Sequence, residues 1–276
     1  MRKSIFFGEI CRMGRAAEGE FDSVFAELRR LGIEGFQFSD REIENTDEEH
    51  LLAAMRRYGM HADIIHTVIP LLSRDDATFR AACQSAKDTL SLLQRFSCKR
   101  LMIVALPVSD VAGQDDRERA MARMIEGLSE IVSAASGQGI EVYIENFSKA
   151  LLPYTSILDI ERILDAVPGL KYTFDVGNFI CVGVDPFEAY ARLRSRISAL
   201  HLKNFTPTED GHGFLCADGH YVKGVTFDAG DFDMTAFLRA CTTDGGRILP
   251  VIEHNAAVTL ADIARSAAWT DRYLAE

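Results

Sequence analysis

The sequence predicts an α/β protein whose single domain, residues 1–276, is a (β/α)8 barrel, the TIM-barrel architecture. Eight short apolar strand patterns alternate with eight helical patterns, and no linker, second core or low-complexity tract interrupts them. Alternation implies parallel strands joined by right-handed crossovers. Eight such units favour a closed barrel, because an open doubly wound sheet more often has fewer strands. No glycine-rich dinucleotide fingerprint follows the first strand, which also disfavours the open sheet.

Each predicted strand is a short run of β-branched, aliphatic and aromatic residues bounded by glycine, proline or polar residues. The last four runs each lead into a carboxylate or an imidazole. In chain order the strands are Ser4–Gly8, Ile33–Phe38, His61–Thr67, Arg100–Ala105, the run within Gly139–Asn146 that leads to Glu145, Leu170–Phe174 before Asp175, Ile197–Leu200 before His201, and Ile248–Ile252 before Glu253.

The helices between these strands are predicted from apolar residues at helical spacing and from end signals. Thr46–Glu49 is typical of a capping box, and Asp185-Pro186 places proline at the first helical position. The predicted helices are a first one carrying Phe21, Val24, Phe25 and Leu28 and stopped by Gly32, one ending near Gly59, Asp75–Phe96, Asp115–Ser136, Ile157–Val167, one starting at Asp185, Asp233–Cys241, and an alanine-rich final helix.

Two segments carry no clear strand or helix pattern. Thr206–Ala229 is long, irregular and rich in Gly, Asp and His, and a loop of this length in a compact barrel is uncommon unless it is functional or disordered. We therefore predict that it covers the mouth of the barrel and moves when substrate binds. Asp244–Arg247, with its Gly-Gly pair, suggests either a phosphate site or, more simply, a turn.

Bulk composition restricts the classes of partner. The chain is 47% hydrophobic and 26% charged with a net charge of -11, so a long polyanion such as DNA is disfavoured as a partner. Six cysteines without a C-x-x-C pair favour reduced thiols, and with them a cytoplasmic location, over a disulfide framework. The apolar run after the N-terminus is broken by Glu9 and is too short for a signal peptide, and no run approaches transmembrane length.

Four strand ends carry the candidate site residues Glu145, Asp175, His201 and Glu253. Singly, such a carboxylate is often a helix cap and such a histidine is often a core residue. In a barrel, however, the carboxyl ends of all strands meet at one mouth, so the four side chains are expected to converge. Three carboxylates and one imidazole suit a divalent ion, with Mn²⁺ favoured and Mg²⁺, Co²⁺ or Zn²⁺ as alternatives. The three carboxylates would leave the loaded site negative and favour neutral, hydroxyl-rich substrates.

Short motifs around these residues resemble the sugar phosphate isomerase/epimerase superfamily, whose members have a xylose isomerase-like TIM barrel and include ketose 3-epimerases, inosose dehydratases and hydroxypyruvate isomerases. The matching segments are Val142–Asn146, Thr173–Asn178, Leu200–Asn204 and Val251–Glu253, with Gly35–Phe38 and Gly230–Asp233. The resemblance implies one divalent metal ion held by Glu145, Asp175, His201 and Glu253. It also implies that Glu145 and Glu253 are catalytic and exchange the substrate proton.

Several positions depart from the family pattern or extend it. Asn178 and Gln37 stand where the family often has His and Glu, and Asn204 stands where it usually has Asp, so all three are expected at the substrate end of the mouth. His66 matches a family histidine that faces substrate, with a buried structural histidine as the alternative. Lys203 lies on the same side of its strand as His201 and is expected either to bind a substrate oxygen or to form an ion pair. His66, Asn178 and Lys203 are the candidate substrate-binding residues.

The implied activity is that of a metal-dependent ketose isomerase or epimerase of carbohydrate metabolism, acting on a sugar or polyol-derived ketone. The ion would polarise a ketose carbonyl, one glutamate would remove the adjacent proton to give a metal-bound enediolate, and the other would return a proton. Loss of a β-hydroxyl instead gives a keto-inositol (inosose) dehydratase, the alternative lyase activity. The sequence leaves open the sugar, its phosphorylation, the metal, and whether the protein is a homo-oligomer.

Two other classes share this barrel. Zinc-dependent endonucleases that act at abasic sites in DNA use several metals and extra histidines, whereas this chain has seven histidines in total and a negative net charge. A non-catalytic binding barrel would have no need of all four metal ligands. Metal stoichiometry distinguishes the first alternative from the isomerase, and turnover distinguishes the second.

Overall fold

A closed parallel barrel forms the centre of the computed structural model, which describes residues 2–12, 21–44, 46–106, 111–209, 211–241, 248–254 and 259–274. Among these residues eight strands close in the order β1-β11-β7-β6-β5-β4-β3-β2, and all neighbours are parallel. The predicted fold class is confirmed. The barrel strands are β1 (Lys3–Phe6), β2 (Ile33–Ser39), β3 (His61–Ile69), β4 (Arg100–Ala105), β5 (Glu141–Glu145), β6 (Lys171–Asp175), β7 (Ile197–Leu202) and β11 (Leu249–Ile252).

Helices follow the strands and cover the outside of the barrel. Their buried faces are the apolar positions at helical spacing, for example Phe21, Val24, Phe25 and Leu28. The helices in chain order are α1 (Phe7–Arg12), α2 (Phe21–Arg30), α3 (Asp40–Glu44), α4 (Glu48–Tyr58), α5 (Asp76–Arg95), α6 (Gln114–Ser136), α7 (Ile157–Ala166), α8 (Val176–Cys181), α9 (Pro186–Leu193), α10 (Met234–Cys241) and α11 (Leu260–Leu274). No described helix combines the length and the hydrophobicity that crossing a membrane requires.

The barrel interior is packed with side chains that alternate along each strand with those facing the helices. One buried cluster fills its middle, formed by Ile64, Met102, Val104, Tyr143, Ala199 and Val251. Two residues further along their strands, the inward-facing positions become polar: Tyr143 is followed by Glu145, Ala199 by His201, and Val251 by Glu253. The side chains of this buried cluster therefore lie directly beneath the candidate site.

Among the predicted element ends that differ from the structure, two have a clear local cause. Strand β1 ends at Phe6, not Gly8, because Phe7 and Ile10 bury their side chains on the short helix α1. The predicted capping box at Thr46 is also wrong. Asp47 is the N-cap of α4 and accepts a hydrogen bond from the His50 backbone N–H, while the Thr46 hydroxyl donates to the Glu42 carbonyl.

The segment predicted to be irregular, Thr206–Ala229, instead contains most of a small antiparallel sheet. Strands β8 (Asn204–Thr208), β9 (Phe214–Leu215) and β10 (Tyr221–Val225) pair in the order β8-β10-β9. Aromatic and β-branched residues in β8 and β10, among them Phe205, Thr206, Tyr221 and Val222, favour strand formation, but the strands are too short and too interrupted by glycine to be recognised in the sequence. We call these three strands the mouth sheet. The possible phosphate site at Asp244–Arg247 lies outside the described residues.

Candidate metal centre

Three of the predicted ligands form a compact, buried group. Atoms of Glu145, Asp175 and His201 that can hold a metal all lie within 4.8 Å of one another. His201 Nδ1 is 2.9 Å from Glu145 Oε2 and 3.5 Å from Asp175 Oδ2. These are the dimensions of a site in which one small cation could contact all three residues.

Strand geometry explains why these residues meet. Asp175 pairs with His201 across β6 and β7, and His201 pairs with Val251 on β11, so the polar positions lie at one level of the barrel. Glu145 on β5 and Glu253 after β11 are three strands apart in the barrel order. The two glutamates therefore approach the centre of the mouth from well-separated directions.

Glu253 and Lys203 complete the centre. Glu253 Oε2 lies 3.5 Å from His201 Nδ1, at the edge of the compact group. The Lys203 ammonium is buried and donates to Glu253 Oε1 at 2.9 Å, and it lies 2.8 Å from Asp175 Oδ2. The structure thus shows the ion-paired arrangement of Lys203 that the sequence offered as one alternative. A role of Lys203 toward substrate stays a prediction.

The imidazole of His201 is held by a partner on each side. Gln37 Oε1 lies 3.0 Å from Nε2, and because an amide oxygen only accepts hydrogen bonds, Nε2 carries the hydrogen. Nδ1 therefore faces the carboxylates. Such a partner behind a histidine ligand fixes the ring and the nitrogen that binds metal. Gln37, expected at the substrate end of the mouth, instead lies fully buried behind the ligand.

His66 lies within β3, three residues before its carboxyl end, and its ring is partly exposed. Its Nδ1 is 3.5 Å from Gln37 Nε2, and its ring centroid is 5.9 Å from that of Phe6. Burial, and then the nearby His201, lower the pKa of His66 to about 4, so the ring is neutral at pH 7. A neutral imidazole there can hydrogen-bond to a hydroxyl group, and its contact with substrate stays a prediction.

The buried charged groups of the centre shift one another's pKa values. Burial opposes a charge on His201, but the adjacent carboxylates of Asp175 and Glu145 outweigh it and raise the pKa of His201 to about 9. Burial likewise opposes a charge on Lys203, yet the Asp175 and Glu253 carboxylates raise its pKa. Burial raises the pKa of Glu145. At Asp175 the positive charges of Lys203 and His201 outweigh burial and lower the pKa.

An asparagine that the sequence analysis gave no role orders one side of the centre. Asn146 Oδ1 accepts hydrogen bonds from the Asp175 backbone N–H at 2.8 Å and from the Tyr172 hydroxyl at 2.7 Å. Its Nδ2 donates to the Asp175 carbonyl oxygen at 2.9 Å. Asn146 therefore fixes the main chain of Asp175 from the neighbouring strand. The feature of the sequence that could have indicated this role is the position of Asn146 directly after Glu145.

Two residues expected at the substrate end form hydrogen bonds with the main chain. Asn178 Nδ2 donates to the Asn146 carbonyl oxygen, and its backbone N–H donates to Asp175 Oδ1, which caps α8. Asn204 is fully buried and donates to the carbonyl oxygens of Phe227 and Phe232. Asn204 is thus a structural residue, because the described hydrogen bonds of its side chain all go to the main chain. Binding of substrate by Asn178 stays a prediction.

The donor set and its charge fit one divalent ion. Asp175 Oδ2 is buried and accepts no hydrogen bond of good geometry, which leaves an anionic oxygen suited to a cation. With His201 neutral, as metal binding requires, three carboxylates and the Lys203 ammonium sum to two negative charges, which one divalent ion would balance. The expected negative charge of the loaded site is therefore wrong, because Lys203 is buried inside it. Glu145, Asp175, His201 and Glu253 would hold the ion.

Gly177 makes room for the lysine. A Cβ atom at Gly177 would lie 2.3 Å from Lys203 Cγ and 2.5 Å from Phe205 Cε2. We expect Gly177→Ala to displace Lys203 from the carboxylates and to lower the free energy of unfolding by about 1–3 kcal/mol, the usual cost of overpacking. Urea denaturation measures the loss. The control is Gly137→Ala, where a Cβ meets nothing within 4 Å. Equal stability of the two variants would contradict the prediction.

Comparison with known proteins assigns the chain to a family. Residues 25–271 match the sequence profile of the family described as xylose isomerase-like TIM barrel. No curated protein sequence matches the chain. Similar solved structures include an IolI protein with a zinc atom, at 13% identity and a TM-score of 0.76 over 100% of both chains. An L-ribulose 3-epimerase is 15% identical with a TM-score of 0.72 over 99% of this chain and 94% of that one.

A third solved structure, the probable 3-DHS dehydratase AsbF from Bacillus anthracis, is 16% identical with a TM-score of 0.70 over 99% of this chain and 98% of that one. At these identities the likeness shows a shared fold. The profile match, by contrast, spans most of the chain and confirms the resemblance found in the strand-end motifs. The protein therefore belongs to the xylose isomerase-like TIM barrel family.

Proposed function

We propose that the protein is a divalent-metal-dependent ketose isomerase or epimerase that moves a proton next to a carbonyl of a small sugar or polyol-derived ketone. The observation that carries the proposal is the convergence of Glu145, Asp175 and His201 within 4.8 Å, with Glu253 beside them. One divalent ion is the proposed cofactor, Mn²⁺ being favoured. When bound, such an ion polarises a carbonyl group and lowers the pKa of the adjacent C–H.

The protein's own residues supply the proton transfer. We assign Glu145 and Glu253 as the acid–base pair, because they approach the mouth from strands three apart in the barrel. A planar enediolate between them presents one face to each carboxylate. Return of the proton to the same carbon from the opposite face gives an epimer, and return to the neighbouring carbon gives an isomer. Lys203, with His66 and Asn178 as further candidates, would bind substrate oxygens.

Deuterium exchange tests the function on many sugars in one series of measurements. The Mn²⁺-loaded protein is incubated in D₂O with a panel of ketoses and inososes, and NMR follows the carbons next to the carbonyl. We expect deuterium incorporation with at least one substrate, and incorporation about 10²–10⁴-fold slower with Glu145→Gln or Glu253→Gln. A metal-loaded protein that exchanges no proton in any member of the panel would overturn the assignment.

Dehydration is the second candidate reaction. The Lys203 ammonium contacts Glu253 at 2.9 Å, so the residue proposed to return a proton has a cation beside it that could assist a departing hydroxyl group. The same enolate that is reprotonated in an isomerase loses that hydroxyl in a dehydratase. The NMR panel separates the two, because dehydration forms an unsaturated or deoxy ketone, whereas isomerisation and epimerisation keep the formula of the substrate.

The mouth sheet is proposed to act as a lid. It starts at Asn204, directly after Lys203, and packs on α8 through Phe205, Val222 and Cys181. Phe214 and Leu215 at its tip are exposed. We expect replacement of 212–219 by a short turn to lower kcat/KM by about tenfold or more, because lid closure completes and dries such sites. Thermal unfolding checks that the barrel is intact. Unchanged kcat and KM would refute the lid.

A further inference from the structure

A hydrogen-bonded chain of three side chains lies directly behind Glu253. Glu9 Oε2 is 2.7 Å from His254 Nδ1, and His254 Nε2 is 2.7 Å from the Ser266 hydroxyl oxygen. All three residues are at most 1% exposed. The order of groups resembles a hydrolase triad, but a hydroxyl group enclosed in this way cannot reach a substrate. This row of hydrogen-bonded side chains therefore has a structural role within the protein.

The same glutamate also holds the main chain. Glu9 Oε1 accepts a hydrogen bond from the backbone N–H of His254, which belongs to the peptide group joining Glu253 to His254. On the other side, the Glu253 backbone N–H donates to the Leu202 carbonyl oxygen at 3.0 Å. Both peptide groups that flank Glu253 are thus fixed, and they set the direction of its Cα–Cβ bond.

Packing restricts the histidine further. The His254 ring stacks on Phe227, with centroids 5.5 Å apart, and Ser266 is a buried residue of α11. Without Glu9, the ring nitrogen and the backbone N–H of His254 would both lose their acceptor in a buried environment, where an unpaired donor is costly. The least costly relaxation is a shift of the chain at Glu253–His254, which also moves the Glu253 carboxylate.

We propose that Glu9 is a positioning residue that acts through His254 to hold Glu253 in the metal centre. The proposal rests on the proposed function in one respect, the role of Glu253 as a metal ligand. Glu9 itself lies on α1 and forms its described contacts with His254, outside the group of Glu145, Asp175 and His201. Its effect on the centre is therefore indirect.

Three variants of the full chain test the proposal. Glu9→Ala removes both acceptors, and Glu9→Gln keeps an amide oxygen that can still accept the backbone N–H. The matched control is Asp63→Asn. Asp63 is another buried carboxylate; it lies on strand β3 and forms an ion pair with Arg2. Hydrogen exchange of the Glu253 and His254 amides is measured without added metal. Mn²⁺ affinity is measured by calorimetry, and the visible spectrum is recorded with Co²⁺.

For Glu9→Ala we expect the His254 amide to exchange about fivefold faster or more, the effect of losing one hydrogen bond. Mn²⁺ affinity should fall by about 10–100-fold, as for loss of other groups that orient a ligand, and the Co²⁺ spectrum should change. Glu9→Gln should restore part of both losses. Asp63→Asn should lower stability without changing the exchange at His254, the Mn²⁺ affinity or the spectrum.

Unchanged exchange at His254 in Glu9→Ala would overturn the proposal, as would unchanged Mn²⁺ affinity and Co²⁺ spectrum. So would equal losses in Asp63→Asn, because Glu9 would then contribute only to general stability. If Glu9→Ala does not fold, Glu9→Gln decides by the same measurements. If the wild-type protein binds no Mn²⁺, the proposed function fails, and the exchange rates alone decide whether Glu9 fixes the chain at Glu253.

Discussion

Glu145→Gln and Glu253→Gln are each expected to lower kcat by about 10²–10⁴-fold, the usual contribution of general acid–base catalysis, while measurable metal binding is kept. Glutamine preserves an oxygen that can contact the ion, and for Glu145 it also preserves an acceptor for His201, but it cannot take up the substrate proton. Steady-state kinetics on the substrate found by deuterium exchange, with metal content from elemental analysis, measures both effects.

Glu141→Gln is the matched control for these substitutions. Glu141 begins the strand that Glu145 ends, and it is exposed and accepts a hydrogen bond from the Tyr143 hydroxyl. We expect the kcat of the Glu141→Gln variant to equal that of the wild type. Near-normal turnover in a metal-loaded Glu145→Gln or Glu253→Gln variant would show that the glutamate concerned is a ligand and not an acid or base.

Chelation is expected to abolish turnover, and one equivalent of Mn²⁺ per chain is expected to restore it. In Asp175→Asn the restoration should fail at stoichiometric Mn²⁺, because the variant removes a charge from the buried group of Glu145, Asp175 and His201. The loss of affinity should exceed the roughly 10–100-fold that loss of an orienting group costs. Asparagine still has a side-chain oxygen that can cap α8, so the helix end should be kept. A loss of metal content in elemental analysis, or of affinity in calorimetry, is then due to the lost negative charge.

The control for Asp175→Asn is Asp165→Asn, an exposed carboxylate paired with Arg196 at 2.8 Å, which should bind and respond to Mn²⁺ as the wild type does. Two or three clustered ions per chain would contradict the single-ion centre and favour the endonuclease alternative. Full turnover after complete metal removal would contradict the proposed chemistry altogether.

Much of the fold could be predicted from the sequence because its signals are local. Strands of alternating or continuous apolar residues, helices with apolar residues at helical spacing, and caps such as Asp185-Pro186 all depend on neighbours in the chain. Eight strand–helix units then leave few topologies. The mouth sheet was missed because its strands are short and separated by glycine-rich turns, so no periodic pattern is long enough to be distinguished from a loop.

The convergence of Glu145, Asp175 and His201 was also predictable, since a parallel barrel brings all strand carboxyl ends to one mouth. The contacts that adjust these residues were not. Gln37 and His201 are 164 positions apart, and Glu9 and His254 are 245 apart. Which of many polar residues meet at such separations depends on how distant segments pack together, and the sequence of either segment alone does not specify it.

The sequence by itself thus determined the barrel, the residue types of the candidate metal centre and the level at which they lie, because strand ends and side-chain alternation fix these locally. Only the tertiary structure decided the charge of the centre and the orientation of its ligands. Lys203 enters the carboxylate group because Gly177, on the neighbouring helix, lacks a side chain that would exclude it. Space of this kind is shared between segments distant in the chain, and it is defined only when they pack.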